Sequence, residues 1–382
     1  MPAGRPAPPR GQAATAPVTG APPARYRTSV MTVPSQAPGL PSRPAITTRT
    51  PVSVIMPVRN EERHLAESVR SVLAQDYPAE IEVVLAVGPS RDRTAQIAQR
   101  LAGADPRVTV VPNPSGHRPD AGNLAIKASR YPIVARVDGH ALLPPGYLLE
   151  AVRTLQETGA DDVGGIMAAE GVTPFEQAVA WAMTSPAGVG SARFHTGGRG
   201  GPTDSVYLGV YRRSALEQAG GYDESFLIAE DWELNHRIRQ GGGLIWFQPK
   251  LQVTYRPRPT AGRLAGQYFR YGRWRRVVSR QHAGTVNLRY LAPPVTLLGV
   301  AAGMVLGVAG LASGLSWLDL GFLLPAGYLA GVLAVTAGAA RRLPPPVLAR
   351  LPLVLATMHM SWGFGFLTSP RSLVPGAGAR RP

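Results

Sequence analysis

The sequence predicts an α/β fold with a mostly parallel sheet, followed by helices that are apolar enough to cross a membrane. Two observations carry this prediction. Between residues 52 and 137, short β-branched runs alternate with segments of helical periodicity, and beyond residue 290 long windows are almost free of charge. Strands that alternate with helices at this spacing form βαβ units, in which consecutive strands lie parallel.

The leading segment, residues 1–49, is rich in Pro, Ala, Gly and Thr and shows neither helical nor strand periodicity. Such a composition buries too little apolar surface to order the chain, so we expect a disordered tail. The segment also lacks the apolar core of a secretory signal peptide. Residues 371–382 are expected to form a second, short tail.

The α/β domain, residues 50–258, is predicted element by element. Strands are expected at residues 52–57, 81–87, 107–111 and 133–137, and helices at residues 94–101 and 121–129. Asn60 is expected to cap a helix that has Glu61 and Glu62 in its first turn, because carboxylates suit the positive end of the helix dipole. Ligands of parallel sheets bind beyond the carboxyl ends of the strands, so the functional site is expected there.

Residues 290–370 contain about three apolar segments. Residues 290–318 and 320–340 have no acidic or basic side chain, and in residues 351–370 only His359 can titrate. Each segment can reach the roughly 20 residues that a membrane-spanning helix needs. Buried core helices of a soluble protein are the alternative, but three consecutive windows favour a multi-pass membrane protein.

The chain is strongly basic, which raises the question of a nucleic-acid partner. The chain carries 40 Lys and Arg residues against 24 Asp and Glu residues, a net charge of +16, and no Cys. A basic chain is compatible with nucleic-acid binding. Here, however, the arginines cluster in the leading tail and in residues 259–289, beside the apolar segments, which is typical of a cytoplasmic membrane face. We therefore expect no nucleic-acid partner, and a disulfide or a thiolate site is excluded.

The turn Asp138-Gly139-His140 follows the fourth predicted strand. A carboxylate and an imidazole two residues apart can both reach one divalent cation and leave positions open for ligand oxygens. The alternative is a turn in which Asp138 only caps the next segment.

A second cluster is acidic. The run Gly220-Gly-Tyr-Asp-Glu-Ser-Phe226 leads to Glu230-Asp231-Trp-Glu233, where the spacing of the apolar residues predicts that a helix begins. An ionised carboxylate at such a helix start can act as a general base. Helix capping is the alternative, and Glu233 is expected to have only that structural role and to tolerate Gln.

The third motif lies in residues 259–289, which are predicted to form a basic amphipathic helix at the membrane interface. Arg270 and Arg273 alternate there with an aromatic stripe that includes Tyr268 and Trp274. Arginine is suited to hold phosphate oxygens. The alternative, which does not exclude the first, is a helix that lies on an anionic membrane surface.

Taken in order, these motifs resemble the family 2 glycosyltransferases, whose catalytic domain has the GT-A fold. Ile55-Met-Pro-Val-Arg-Asn-Glu61 is similar to their first-strand signature, Asp138-Gly-His140 to their D-x-D motif, Glu230-Asp231 to their acidic pair, and Gln267-x-x-Arg270 to Q-x-x-R-W. The D-x-H turn, His195-Thr-Gly-Gly198 and Gly-Gly-Tyr-Asp-Glu-Ser-Phe226 are closest in look to the succinoglycan-type exopolysaccharide transferases. The resemblance covers about residues 52–280.

The resemblance implies roles for individual residues. Asp231 would be the base, with Glu230 beside it, and Asp138 and His140 would bind Mg²⁺ or Mn²⁺. The residues implied on the donor and diphosphate side are Pro57, Asn60, Glu61, Arg118, Asn123, Gln267, Arg270 and Arg273. The sequence departs from the family at Val87 and Gly88, which stand where an acidic residue usually contacts the nucleotide base, and at Tyr271, where Trp is usual.

The implied reaction is inverting transfer of a sugar from a nucleoside-diphosphate sugar to a hydroxyl of a lipid-linked or polysaccharide acceptor. We expect a cell-membrane location with a cytoplasmic catalytic domain, an external connection at residues 314–319 and a return to the cytoplasm at Arg341, Arg342 and Arg350. The third apolar segment is expected either to span, to be re-entrant or to lie in the interface. The alternatives are a processive polysaccharide synthase and a catalytically degenerate nucleotide-sugar-binding protein anchored in the membrane.

Overall fold

The computed structural model describes residues 45–374, so most of the leading tail and part of the trailing one lie outside it. Its eight strands form one sheet in the order β3-β2-β1-β4-β7-β5-β8-β6. The strands are β1 Val52–Val58, β2 Ile81–Val87, β3 Val108–Pro112, β4 Ile133–Arg136, β5 Asp162–Ala169, β6 Gly201–Pro202, β7 Tyr207–Arg212 and β8 Ile245–Tyr255. The first four match the predicted strands to within one residue at each end.

The helices alternate with these strands and then continue alone. They are α1 Leu65–Leu73, α2 Thr94–Ala104, α3 Arg118–Ala128, α4 Tyr147–Thr158, α5 Pro174–Met183, α6 Pro186–Val189, α7 Arg193–Thr196, α8 Arg213–Ala219, α9 Glu230–Gln240, α10 Ala261–Gln281, α11 Leu288–Ser313, α12 Leu323–Ala339, α13 Pro345–Leu348 and α14 Leu351–Leu367. The segments Ser316–Phe322 and Arg371–Leu373 are short 3₁₀ helices.

The sheet is mostly parallel, as predicted. Strands β3, β2, β1 and β4 run parallel, β7 is antiparallel to both β4 and β5, and β8 is parallel to β5. Because β2 and β4 lie on opposite sides of β1, the strand order reverses there. Such a reversal opens a crevice at the carboxyl ends of the strands, which is where α/β proteins bind ligands.

Helices cover both faces of the sheet. Successive residues of a strand point to opposite faces, and in β1 Met56 belongs to the core under α1, α2 and α4, whereas Ile55 belongs to the core under α3, α8 and α9. Both side chains are fully buried. Burial on both faces explains why β1 is a continuous apolar run rather than an alternating pattern.

The prediction that Asn60 caps a helix is wrong. Helix α1 begins at Leu65, and Glu61 and Glu62 precede it. Asn60 instead has a left-handed backbone, with φ of 57°, and its Oδ1 accepts a hydrogen bond from the Arg91 amide at 2.9 Å. Asparagine tolerates this conformation better than most residues, so the β1–α1 loop is tied to the β2–α2 loop instead of continuing into a helix.

The three apolar segments are helical, and each is long and apolar enough to cross a membrane: Leu288–Ser313, Ser316–Ala339 and Pro345–Leu367. The first two form a hairpin with little buried surface. Glycines let its two arms touch, since a Cβ at Gly307 would lie 2.6 Å from the Phe322 ring and one at Gly303 would lie 2.5 Å from the Gly321 carbonyl oxygen. Small residues at such positions are typical of helix pairs in membranes.

Helix α14 differs from this hairpin because it packs on the α/β domain. One third of its apolar window is buried, against 17% and 6% for the other two. A Cβ at Gly365 would lie 2.0 Å from the Phe269 carbonyl oxygen, and one at Gly272 would lie 2.1 Å from the Trp362 carbonyl oxygen, so the backbones of α10 and α14 are in contact. The beginning of α14, at Leu351, shares an apolar core with α5.

Candidate active site

A buried arginine lies at the centre of the candidate site. Arg136 ends β4, and only 3% of its side chain is exposed. Its guanidinium donates to Asp138 Oδ1 at 3.4 Å, to Glu230 Oε1 at 3.2 Å and to Asp231 Oδ1. One cation therefore joins the turn after β4 to the acidic start of α9. We call Arg136, Asp138, Glu230 and Asp231 the arginine–carboxylate cluster.

The sequence analysis missed Arg136. Two features of the sequence could have identified it. Arg136 belongs to the strand Ile133–Arg136, whose residues are all buried, and it lies two positions before Asp138. A charged side chain is almost never fully buried unless it is paired, so a buried position should itself have predicted acidic partners. The pairing is strong enough that the pKa of Arg136 lies above its ordinary range, because Asp138 and Glu230 outweigh the effect of burial.

The two members of the acidic pair differ in exposure. The side chain of Glu230 is 4% exposed and that of Asp231 is 36% exposed. Glu230 also lies 3.5 Å from Arg118 Nη1, at the start of α3. The structure therefore buries Glu230 between two guanidinium groups and leaves Asp231 open to the crevice.

The segment before α9 is held by α3. The Asn123 amide donates to the Tyr222 carbonyl oxygen at 2.9 Å and accepts from the Tyr222 amide at 2.8 Å. Gly122 allows this approach, because a Cβ there would lie 2.7 Å from the Tyr222 ring. The resemblance implied a donor contact for Asn123, but the structure engages its amide in holding Tyr222, whose ring lies 5.8 Å from the Arg136 guanidinium.

The D-x-H turn lies against the β1–α1 loop. His140 Nδ1 is 2.8 Å from Glu61 Oε1, and this hydrogen bond raises the pKa of His140 even though burial opposes it. Burial would raise the pKa of Asp138, but the positive charges of Arg136 and Arg118 outweigh it and hold that pKa at about 2. Asp138 is therefore a carboxylate at any physiological pH.

The side chains of the D-x-H turn could act as ligands of a divalent cation. Among residues 45–374 no group of three or more His, Asp or Glu side chains could hold a metal ion. Asp138 and His140 offer one oxygen ligand and one nitrogen ligand. When Nδ1 of His140 donates to Glu61, the Nε2 lone pair stays available to a cation, and a carboxylate behind a metal-binding histidine is the usual arrangement. The residues fit a cation that takes its remaining ligands from substrate and water.

The β1–α1 loop is braced by hydrogen bonds to the β2–α2 loop. The Glu61 amide donates to Thr94 Oγ1 at 2.7 Å, and the Glu62 amide donates to Asp92 Oδ2 at 3.2 Å. The carboxylate of Asp92 therefore accepts hydrogen bonds within these two loops. Pro57 lies in β1 opposite Ala86 of β2, so the Pro57–Glu61 signature forms one wall at the carboxyl end of the sheet.

The motif on α10 is not joined to the arginine–carboxylate cluster. Gln267 Nε2 donates to Tyr255 Oη and to Tyr271 Oη, both at 2.8 Å. This ties α10 to the end of β8. Arg270 is exposed, and the guanidinium of Arg273 lies 5.4 Å from the Phe269 ring. Within the described residues, no hydrogen bond or ion pair connects either arginine to the four cluster residues.

The contacts of Glu233 differ from those of a simple helix cap. Its side chain is 2% exposed and contacts Arg237 Nη2 at 2.7 Å. Its Oε1 also lies 3.2 Å from His282 Nε2, just beyond α10. The carboxylate is therefore buried, forms an ion pair with Arg237 within α9 and lies against His282, because Trp232 and Glu233 turn inward as the helix rotates away from Asp231.

Comparisons with known proteins identify relatives of this chain. The model of the family described as Glycosyl transferase family 2 matches residues 53–220. The succinoglycan biosynthesis protein ExoA of Rhizobium meliloti (strain 1021) is 32% identical over 84% of this chain and 94% of its own length. A dolichyl N-acetyl-alpha-D-glucosaminyl phosphate 3-beta-D-2,3-diacetamido-2,3-dideoxy-beta-D-glucuronosyltransferase of Methanococcus voltae is 22% identical over 82% of this chain and 95% of its own length.

Among solved structures, the mannosyltransferase PcManGT from Pyrobaculum calidifontis, in complex with GDP-Man and Mn²⁺, superposes with a TM-score of 0.54. It shares 19% identity, and the match covers 85% of this chain and 89% of that one. This likeness supports the fold. Together with the relative that is 32% identical over most of the chain, it identifies the α/β domain as GT-A and confirms the resemblance seen in the sequence. The chain belongs to the family 2 glycosyltransferases.

Proposed function

We propose that this glycosyltransferase moves a sugar, with inversion, from a nucleoside-diphosphate sugar to a hydroxyl of a lipid-linked or polysaccharide acceptor at a membrane. The observation that carries the proposal is the arginine–carboxylate cluster, in which Arg136 links the D-x-H turn at Asp138 to the acidic pair at Asp231. A direct displacement needs a site for the leaving diphosphate and a base for the acceptor side by side.

Asp231 is the base in this proposal. Its side chain is 36% exposed, whereas that of Glu230 is 4% exposed and paired with Arg136 and Arg118. A base must come within hydrogen-bond reach of the hydroxyl that it deprotonates, which favours the accessible carboxylate. Glu230 keeps Arg136 in place and so positions Asp231.

Asp138 and His140 would hold the divalent cation, with Glu61 orienting His140 through Nδ1. When bound, such a cation supplies Lewis-acid stabilisation to a leaving diphosphate. The guanidinium groups of Arg118 and Arg136 add positive charge at the same end of the sheet. Pro57, Asn60 and Glu61 form the wall on which we place the donor, and Arg270 and Arg273 remain candidates for reaching its diphosphate.

The membrane assignment rests on the apolar hairpin of α11 and α12. Basic residues border it at Arg289 on one side and at Arg341 and Arg342 on the other, and Asp319 lies at its tip. Lys and Arg stay on the cytoplasmic side of membranes, which supports a cytoplasmic catalytic domain. Helix α14 contacts α5 at its beginning and α10 at its end, which favours an interfacial position for the third segment.

The test uses enriched membranes that contain the full chain and a panel of labelled nucleoside-diphosphate sugars. We expect label from one donor to enter the lipid extract and a chelator to abolish this incorporation. Long products on a gel would indicate a processive synthase instead. The enzymatic proposal would be contradicted if the protein bound a donor but label incorporation into every acceptor fraction stayed at the level of membranes without the protein.

A further inference from the structure

A cavity of about 360 Å³ is lined by Arg276, Arg280, Arg371 and Val374. The first two come from the last turns of α10 and the others from the segment after α14. We call this cavity the triple-arginine pocket. It plays no part in the proposed chemistry, since none of its residues contacts the arginine–carboxylate cluster in the described chain.

In the part of the chain that the structure describes, three guanidinium groups share this cavity and no carboxylate lines it. The ion pairs found among residues 45–374 include none of the three, although other arginines do find acids, such as Arg130 with Glu82. Burial and repulsion from Arg276 and Arg371 lower the pKa of Arg280. Like charges at one site repel each other unless an anion joins them, and among residues 45–374 these three arginines have no acidic partner.

Hydrogen bonds join the two segments that form the pocket. Arg280 Nη1 donates to the Ser369 carbonyl oxygen at 2.9 Å, and Ser369 Oγ donates to the Arg273 carbonyl oxygen at 3.0 Å. The Arg276 guanidinium lies 5.0 Å from the Phe366 ring. Two of the three arginines therefore have partners in the protein that orient them toward the cavity, and such preorganisation lowers the entropic cost of binding.

The position of the pocket indicates what fills it. Helix α14 meets the beginning of the first apolar helix, since a Cβ at Gly363 would lie 2.6 Å from the Pro293 carbonyl oxygen. Leu288, at the start of that helix, is 83% exposed. The cavity thus lies at the level where the apolar helices begin, with charged walls and exposed apolar surface nearby. This combination suits a phosphate whose attached chains extend into a bilayer.

We propose that Arg276, Arg280 and Arg371 bind the phosphate headgroup of an anionic phospholipid. Guanidinium groups bind phosphate oxygens through paired, charge-assisted hydrogen bonds, and basic pockets beside membrane helices are suited to lipid headgroups. A bound lipid would join the end of α10 to the segment after α14. None of these three arginines is among the residues that we place on the donor, on the cation or at the base.

The test measures lipid retention by the purified full-length chain in native mass spectrometry, with phosphatidylglycerol and phosphatidylcholine offered in mixed micelles. We expect one retained phosphatidylglycerol per chain and little phosphatidylcholine. Each basic contact near a membrane surface is worth about fivefold in affinity, so the triple variant Arg276→Gln, Arg280→Gln, Arg371→Gln should lose roughly a hundredfold. Inorganic phosphate forms a separate arm, and its binding in place of the lipid would overturn the lipid assignment.

The matched control is the triple variant Arg341→Gln, Arg342→Gln, Arg350→Gln, which removes the same charge from the segment between α12 and α14. It should keep the single retained lipid. Equal loss in both triple variants would overturn the proposal, because it would indicate diffuse attraction to a charged surface. If the pocket variant fails to fold, Arg371→Gln alone decides, because this exposed residue can change without disturbing the core and should cost about fivefold.

Discussion

Replacing Asp231 by asparagine tests the proposed base, because it keeps the size of the side chain and removes its ability to accept a proton. Removing a general base typically slows turnover by about 10² to 10⁴-fold. The fold should survive, since Asp231 is 36% exposed and a partly exposed ion pair contributes only about 1 kcal/mol. Arg136 would still be paired with Asp138 and Glu230.

The assay compares initial rates and nucleoside-diphosphate affinity for the purified full-length chain and its variants. We expect Asp231→Asn to lose turnover and to keep its affinity. Glu230→Gln should be milder in rate but less stable, because it neutralises a carboxylate buried between two guanidinium groups. The control is Glu157→Gln on the exposed end of α4, which should change neither quantity.

Near wild-type turnover of Asp231→Asn would remove it as the base. A larger loss in Glu230→Gln than in Asp231→Asn, at equal folded fraction, would mean that the roles within the pair are reversed. Loss of donor affinity in Asp231→Asn that matches its loss of rate would place this carboxylate on the donor rather than on the acceptor.

Four further predictions concern other parts of the molecule. Glu233→Gln should destabilise the fold by about 3 kcal/mol, because it breaks the ion pair between a buried carboxylate and Arg237, and an unchanged denaturation midpoint would contradict this. Asp138→Ala and His140→Ala should each abolish the part of turnover that a chelator removes, and full, chelator-resistant activity of both would exclude the cation site. Because the pKa of His140 is raised above 6.5, its contribution to stability is full below pH 6.5 and decreases as the pH rises through the folded pKa, so the melting temperature should fall over that window in the wild type and less in His140→Gln. A cysteine at Ser316 should react with an impermeant thiol reagent only from outside the cell, and labelling from the cytoplasm alone would reverse the hairpin.

The parallel half of the sheet was predictable because its strands are short β-branched runs buried on both faces, which few other structures produce. The strands from β5 onward were not predicted. Strand β5 contains Gly164 and Gly165, whose missing side chains admit Val206 and the Leu251 carbonyl oxygen. Such close approach is a tertiary requirement, and glycine weakens the local strand pattern that a sequence analysis uses.

The candidate site was predictable as a set of motifs but not as a network. Asp138 and the acidic pair were identified, whereas Arg136 was not, since the burial of a charged side chain depends on a partner 95 residues away. Asn60 was read as a helix cap because local chemistry favours it there, but hydrogen bonds to the β2–α2 loop decide its conformation. Glu233 was misjudged because its partner His282 is beyond α10.

The shared guanidinium of Arg136 also limits how this sequence can change during evolution. Asp138, Glu230 and Asp231 share the same buried cation, so a neutral residue at position 136 would leave three carboxylates close together with much less compensation, chiefly from Arg118, which lies 3.5 Å from Glu230. Loss of Glu230, in turn, would leave Arg136 with less negative charge than its burial requires. Substitutions of the two buried members, Arg136 and Glu230, are therefore tolerated best in combination, and a descendant that abandons catalysis is free to lose the whole set at once.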